Sequence, residues 1–442
     1  MTSPPGSDGE AGLVRALGVR QMAAAIFNYT VASGIFALPA LAYGRLGAAA
    51  PLGYLATVVV MGLVVLCIAA AGSRVAITGG PYAYVEVALG PFVGLLAGAL
   101  LWATDIAATA AVANLFAGSV VVLGGGRTAT VAVPVVIVAI FLMLSWLNVR
   151  GVRTGARVIE LATVAKLVPL LLFVVVGAFF IHPAHLRIDR AVSVGDVSRT
   201  VGVLVFAFAG IEAALTPSGE IRDPARTVPR AALLALGAAA VLYVLVQGVA
   251  QGVLGPELAA DRVTPLATAA AAFAGGAGRT VILVGAAISM FGYLTGAILA
   301  APRTMFAFGR DGFLPRGLTA VHPRFHTPHV AIVTYTVLAT ALALSGTFER
   351  LAILANSTVL LLYFLCAIAA AVLQRRDVRA GGQPFRLPAG MLLPGLTCLA
   401  VAWIFARTVS ARELLAVAIV VAVVTGAYAL RARRRAIRPS PD

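Results

Sequence analysis

Four residues that interrupt an apolar segment stand together near the N-terminus. They are Asn28, Thr30, Ser33 and Gly34, in the stretch NYTVASGIFALP, with Pro39 just after. In lipid, backbone N–H and C=O groups need partners within the protein, so a helix leaves its ladder only where protein or a water-filled cavity receives them. The stretch therefore reads as a discontinuous helix. Such a break carries its own chemistry. The half that stops presents free carbonyls, which suit a cation, and the half that restarts presents free amides at a positive dipole end, which suit an anion.

Three ionisable residues at depth join it. Lys166 is the one lysine in the chain and sits within the apolar run ELATVAKLVPLLL. An ammonium at that depth costs about 3 kcal/mol on insertion scales, and lysine changes its protonation more readily than arginine when buried. It reads as a proton-linked switch beside the first break. The competing reading is a side chain that snorkels toward Arg157 and Glu160. Glu212 follows Gly210 in FAFAGIEAALTPSGE, a second apolar segment interrupted near its middle. Asp105, in LLWATDIAATA, suits three roles: recognising a basic group, carrying a proton, or pairing with a polar neighbour.

The elements that must position these residues are membrane helices. The chain has 442 residues, is 61% hydrophobic and 11% charged, and its mean hydropathy is +0.99, which marks an integral membrane protein whose partner is the lipid bilayer. The net charge of +16 does not indicate nucleic acid, because the basic residues are scattered over short loops. Twelve apolar spans fall near 19–42, 49–72, 91–122, 130–148, 158–181, 199–219, 230–254, 280–301, 329–346, 351–373, 389–407 and 413–430. Most are long enough to cross about 30 Å of hydrocarbon. The apolar segment around 265–276 is short and reads as a loop helix. Residues 1–14 are polar and read as a disordered cytoplasmic terminus, and 431–442 as a basic cytoplasmic tail. With both ends inside, the inner loops hold 22 arginines against 10 outside, in keeping with the positive-inside bias.

The two interrupted segments are spans one and six, each the first of a set of five. Paired interruptions at matching positions point to inverted repeats with a site at the midplane. Glycines there also allow close helix packing, and the pairing is what favours a site. The repeats run over 15–181 and 199–373, with two accessory helices over 389–430.

Four motifs carry a resemblance to a known family. ASGIFALPA (Ala32–Ala40) is similar to the first-span signature of amino acid–polyamine–organocation (APC) permeases. Phe208, Gly210, Glu212, Glu220, Asp223, Pro224, Arg226, Val228 and Pro229 resemble the sixth-span pattern of that family. TGGPYAYVEVALG and RTMFAFGRDGFLP resemble its second cytoplasmic loop and the loop after span eight. The resemblance covers nearly the whole chain. It implies an all-α integral membrane fold of twelve transmembrane helices, a LeuT-type 5+5 inverted repeat with discontinuous helices 1 and 6 plus two accessory helices.

It also implies a function and a site. The function is secondary active transport of amino acids or closely related amines across the cytoplasmic membrane by alternating access. Proton-coupled symport is the leading form and amino acid/amine exchange the alternative. Ala32, Ser33, Gly34 and Ile35 would receive the substrate carboxylate through their backbones. Carbonyls near Thr30, and from Phe206 and Ala209 beside Gly210, would receive its ammonium. Phe206 and Tyr293 match aromatic positions that close over or face the pocket. Lys166 matches a lysine that stands where sodium-coupled relatives hold sodium, and Glu212 an acidic position linked to gating or proton sensing. Asp105 matches no fixed family role, and the substrate's side-chain class depends on it. Separately from the resemblance, Glu220, Arg222, Asp223 and Arg226 fall at the cytoplasmic end of span six and, with Arg310 and Asp311, read as an inner gate of ion pairs, the alternative being solvated loop charges.

Other classes fit less well. The five histidines lie in loops or at a span edge, the three cysteines fall in apolar segments, and neither set has metal or catalytic spacing. Cofactors are not expected. A channel would call for repeated filter elements. An ATPase would carry a phosphate-binding loop of Walker type, and the sequence has none.

Overall fold

The computed structural model describes residues 17–125, 129–150, 156–189, 191–216, 218–310, 312–379 and 382–437. The expected disordered terminus at 1–14, Pro217, Asp311 and the last residues of the basic tail lie outside them. Among the described residues the regular structure is helical, apart from one parallel backbone bridge between Leu17 and Ile221.

Fifteen α-helices follow one another: α1 (Val19–Thr30), α2 (Gly34–Leu46), α3 (Ala50–Gly72), α4 (Pro81–Leu89), α5 (Pro91–Leu123), α6 (Ala129–Val149), α7 (Ala156–Gly177), α8 (Val194–Phe208), α9 (Ile211–Ala214), α10 (Pro224–Leu254), α11 (Pro265–Arg310), α12 (His329–Ser345), α13 (Phe348–Arg375), α14 (Leu392–Thr408) and α15 (Ala411–Ile437). Eight stretches of the described residues are long and apolar enough to cross a membrane. One of these, Gly34–Gly72, turns at Gly47 between α2 and α3. Three shorter apolar helices accompany them. The protein is thus an all-helical integral membrane protein.

The exterior explains itself by solvent. Leu142, Leu171, Val241 and Leu399 lie exposed along their helices because lipid, rather than water, is the medium they face. α5, at 33 residues, is about 50 Å long at 1.5 Å per residue, longer than the hydrocarbon core is thick. Within α11, Gly275 leaves helical geometry (φ 60°, ψ −151°), so the segment expected to be a loop helix is set off from the long helix after it.

Both expected interruptions are real. The first span is α1 and α2, separated at Val31–Ser33. The sixth is α8 and α9, separated at Ala209 and Gly210. The halves cross: α1 packs on α9, and α2 on α8. Each break has a glycine where the other helix comes closest. A Cβ on Gly34 would lie 3.1 Å from Ala207 Cα, and one on Gly210 would lie 2.9 Å from the Tyr29 carbonyl carbon. Gly210 also has φ +128°, a conformation that L side chains rarely adopt. Close packing and helix interruption, alternatives when read from sequence, are met here by the same two residues.

Candidate functional site

The first break begins where α1 runs out of helical partners. The Val31 amide still reaches the Phe27 carbonyl at 2.8 Å, and the Ala32 amide folds back on Thr30 at 3.0 Å. The carbonyls of Asn28 and Val31 are then left to be satisfied from elsewhere. Lys166, on α7 and almost completely buried, does this. Its Nζ donates to Asn28 O at 2.8 Å and to Val31 O at 2.7 Å. The lysine does not snorkel. It caps the end of α1 and does not line the cavity.

On the restarting side the chain is different. Phe36 N–H reaches Ser33 O at 3.1 Å, while among the described residues the amides of Ser33, Gly34 and Ile35 have no backbone acceptor. Ser33 Oγ is also buried without a hydrogen-bond partner. Free amides at the start of a thirteen-residue helix carry a partial positive charge, which is chemistry that suits an anion.

The second break is closed by its own chain. Ala209 is extended (φ −68°, ψ 153°), and the Gly210 amide donates to Glu212 Oε1 at 3.0 Å. Tyr363, on α13, donates its hydroxyl to Glu212 Oε2 at 2.7 Å. The buried carboxylate is therefore hydrogen-bonded on both oxygens, as a buried acid needs. It occupies the amide that a ligand anion would have used, so this break offers carbonyls.

A cavity of about 820 Å³ joins the two breaks. Of the sequence-derived candidates, Thr30, Ala32, Ser33 and Gly34 line it from the first break, and Phe206, Ala209, Gly210 and Glu212 from the second. Asp105 and Tyr293 line it from α5 and α11. Ile35 and Lys166 are buried but do not line it. For Ile35 the reason is geometric: it lies one residue into α2, and its side chain packs in the core.

The cavity runs from the breaks to Glu86 on α4 and to the exposed Arg303 and Arg310 on α11. Its other end is shut. Phe206 packs edge-on against Phe348 at 5.5 Å, Arg45 pairs with Glu349 at 2.7 Å, and Arg262 stands 3.7 Å from the same carboxylate. Of the expected inner gate, the structure shows Asp223 and Arg226 at 3.9 Å, both well exposed. Asp311 is outside the described residues, and the Glu220 and Arg222 backbones pair instead with Leu17.

Three contributors escaped sequence reasoning. The Tyr243 hydroxyl, on α10, lies 3.2 Å from Thr30 O and 3.0 Å from Ala207 O, so one phenol strings the two broken helices together. Tyr363 supplies the donor to Glu212. The 78–80 turn docks beneath α9, where Gly79 N–H donates to Thr216 O at 2.8 Å. A buried tyrosine hydroxyl needs a partner, but ten tyrosines give no means of choosing among them from sequence. Asn356 Nδ2 bonds between helices, to Gly202 O at 2.7 Å, and the residue also lines the cavity.

A profile described as "Amino acid permease" matches residues 17–427. An uncharacterized transporter of Mycobacterium tuberculosis is 34% identical over 393 residues, covering 88% of this chain and 86% of its own length. The branched-chain amino acid permease BcaP of Bacillus subtilis is 24% identical over 411 residues, covering 89% and 88%. The serine/threonine exchanger SteT of Bacillus subtilis is 27% identical over 410 residues, covering 89% and 90%.

Proposed function

Because this chain belongs to the amino acid permease family of the APC superfamily, we propose that it is a secondary active transporter of amino acids or closely related amines, driven by proton symport. The observation that carries the reading is the asymmetry of the first break. Ser33 and Gly34, with unengaged amides at the start of α2, line the cavity, and so do Phe206 and Ala209 of the second break, whose Gly210 amide is taken by Glu212 and which is left to offer carbonyls. A carboxylate and an ammonium on one carbon are complementary to that pair of surfaces.

The architecture proposed with it is twelve spans in two inverted five-helix repeats, 15–181 and 199–373, with two accessory helices over 389–430. The arginine bias supports both termini on the cytoplasmic side of the cell membrane. In that orientation the cavity opens inward, and the Phe206–Phe348 and Arg45–Glu349 contacts close the outer side. Alternating access then rocks spans one, two, six and seven against spans three, four, eight and nine. Lys166 is the proposed proton site, because its ammonium caps the two carbonyls left free where α1 ends. Releasing a proton leaves at most two N–H donors and weakens their hold on those carbonyls.

Radiolabelled amino acid and amine uptake into proteoliposomes, screened across pH, tests this. The expected result is saturable uptake that an inward proton gradient accumulates. Large unitary currents without saturation would overturn it in favour of a channel. Exchange is the second reading, favoured by the exchanger among the relatives. Under exchange, internal substrate stimulates uptake and a proton gradient without internal substrate drives none.

A further inference from the structure

Asp105 is an acid of the cavity wall that nothing among the described residues answers. It sits on α5, lines the cavity and is partly open to it. Among the described residues its carboxylate accepts no hydrogen bond and pairs with no cation. The Tyr335 hydroxyl reaches the backbone of this residue instead, 3.4 Å from the carbonyl oxygen. Two other acids line the cavity: Glu212, satisfied on both oxygens, and Glu86, on α4. Lys166 is committed to the Asn28 and Val31 carbonyls and does not line the cavity. Arg303 and Arg310 lie on the last turns of α11, toward the open end.

The surroundings of Asp105 ask for a donor of positive charge. Tyr29 and Tyr293 line the same cavity, and aromatic faces attract ammonium and guanidinium groups. Asn356 also lines it. Its amide nitrogen is used on Gly202 and Val203, while its Oδ1 is buried and has no donor. So the cavity wall carries one carboxylate without a partner, partly open to the cavity, and a second, buried acceptor in Asn356 Oδ1. The first break has already been assigned the substrate's carboxylate, and the carbonyls of the second its α-ammonium. What remains is a third subsite with acceptor chemistry.

We propose that Asp105 makes this transporter selective for amino acids with a second cationic group, an amine or a guanidinium, on the side chain. The inference rests on the amino acid transport reading and adds the substrate class to it. A site built around an unpaired charged acceptor rejects a ligand lacking the matching donor far more strongly than an apolar pocket rejects a missing methylene.

The test uses neutral near-isosteres and the full chain in proteoliposomes. Arginine is compared with citrulline, and lysine with norleucine. In the unaltered protein the basic member of each pair is expected to be taken up with kcat/KM at least about tenfold higher. Asp105→Asn should narrow that gap by weakening basic substrates much more than neutral ones. Asp105→Glu, which keeps the charge, should retain part of it. Equal uptake of arginine and citrulline by the unaltered protein overturns the proposal without need of any variant. A gap that survives undiminished in Asp105→Asn overturns the assignment to Asp105, as does an equal fall for basic and neutral substrates in a variant that purifies as a monodisperse peak. If no amino acid of either class is taken up by the unaltered protein, the transport reading itself fails and this proposal falls with it. If neutral substrates alone are taken up, that reading stands and only this proposal falls.

Discussion

The first break hands its carbonyls to a lysine from a distant helix, whereas the second hands its amide to a glutamate two residues along its own chain. Both solve the backbone problem that lipid imposes, and the charges are opposite. The consequences differ. A break capped by its own chain keeps its shape as long as that chain stays folded. A break capped from α7 depends on another element and on the charge of one side chain. The second break's amide is filled by a built-in carboxylate, while the first leaves its restarting amides free. The proposed anion site thus falls at only one of two otherwise related breaks, the one whose cap comes from another element.

Lys166→Ala should have the largest effect. It leaves two carbonyls without donors, at about 1–3 kcal/mol each, and removes the proposed proton site. Proton-driven uptake should fall by about tenfold or more, since each 1.4 kcal/mol is a factor of ten, and the melting temperature of the purified protein should drop. Retention of gradient-driven uptake would break the coupling assignment, and an unchanged melting temperature would break the capping argument. Alanine at each glycine then compares the two breaks directly. Gly210→Ala forces a side chain into φ +128° with backbone 2.9 Å away, so a loss of about 2–3 kcal/mol is expected. Gly34→Ala meets its neighbours at 3.1 Å in helical geometry, and about 1 kcal/mol is expected. If Gly34→Ala proved the worse of the two in thermal unfolding, the second break would not be the rigid one.

How much of this was legible beforehand depends on whether a residue contradicted its surroundings. Lys166, Glu212 and Asp105 stood out because charge in an apolar segment needs a reason. Gly34 and Gly210 stood out because two interruptions shared a place in two sets of five. The tyrosines did not, because a phenol in a span is unremarkable until its hydroxyl is seen to reach Thr30, Ala207 or Glu212. Sequence also could not show that the turn at Gly79 packs under Thr216, a pairing across more than a hundred residues. Nor could it say that Asp105 lacks a partner, since that depends on where the chain's cations end up. The inner gate was read from charge density alone, and exposed loop charges pair in many ways for little energy.

Glu212→Gln is a milder intervention. The amide oxygen still accepts from Gly210, and the Tyr363 hydroxyl can turn to accept from the new N–H₂. The second break should keep its form, with a stability loss of about 1 kcal/mol, well below that of Lys166→Ala. A loss as large would mean that the charge of Glu212, rather than its shape, holds the break.

Tyr243→Phe should be the smallest. The hydroxyl has one proton for two carbonyls, and Thr30 O already accepts from Ala32 N–H. The ring remains packed against Tyr54 at 5.8 Å and Phe208 at 5.0 Å. Removing the oxygen therefore costs a single hydrogen bond, about 0.5–1.5 kcal/mol, seen as a slight fall in melting temperature. The informative quantity is how the loss combines with Lys166→Ala. If the phenol couples the two breaks, the double variant departs from additivity, because both side chains serve carbonyls of the same three-residue segment after Tyr29. Strict additivity would mean that each break is held locally, and that the first moves without informing the second.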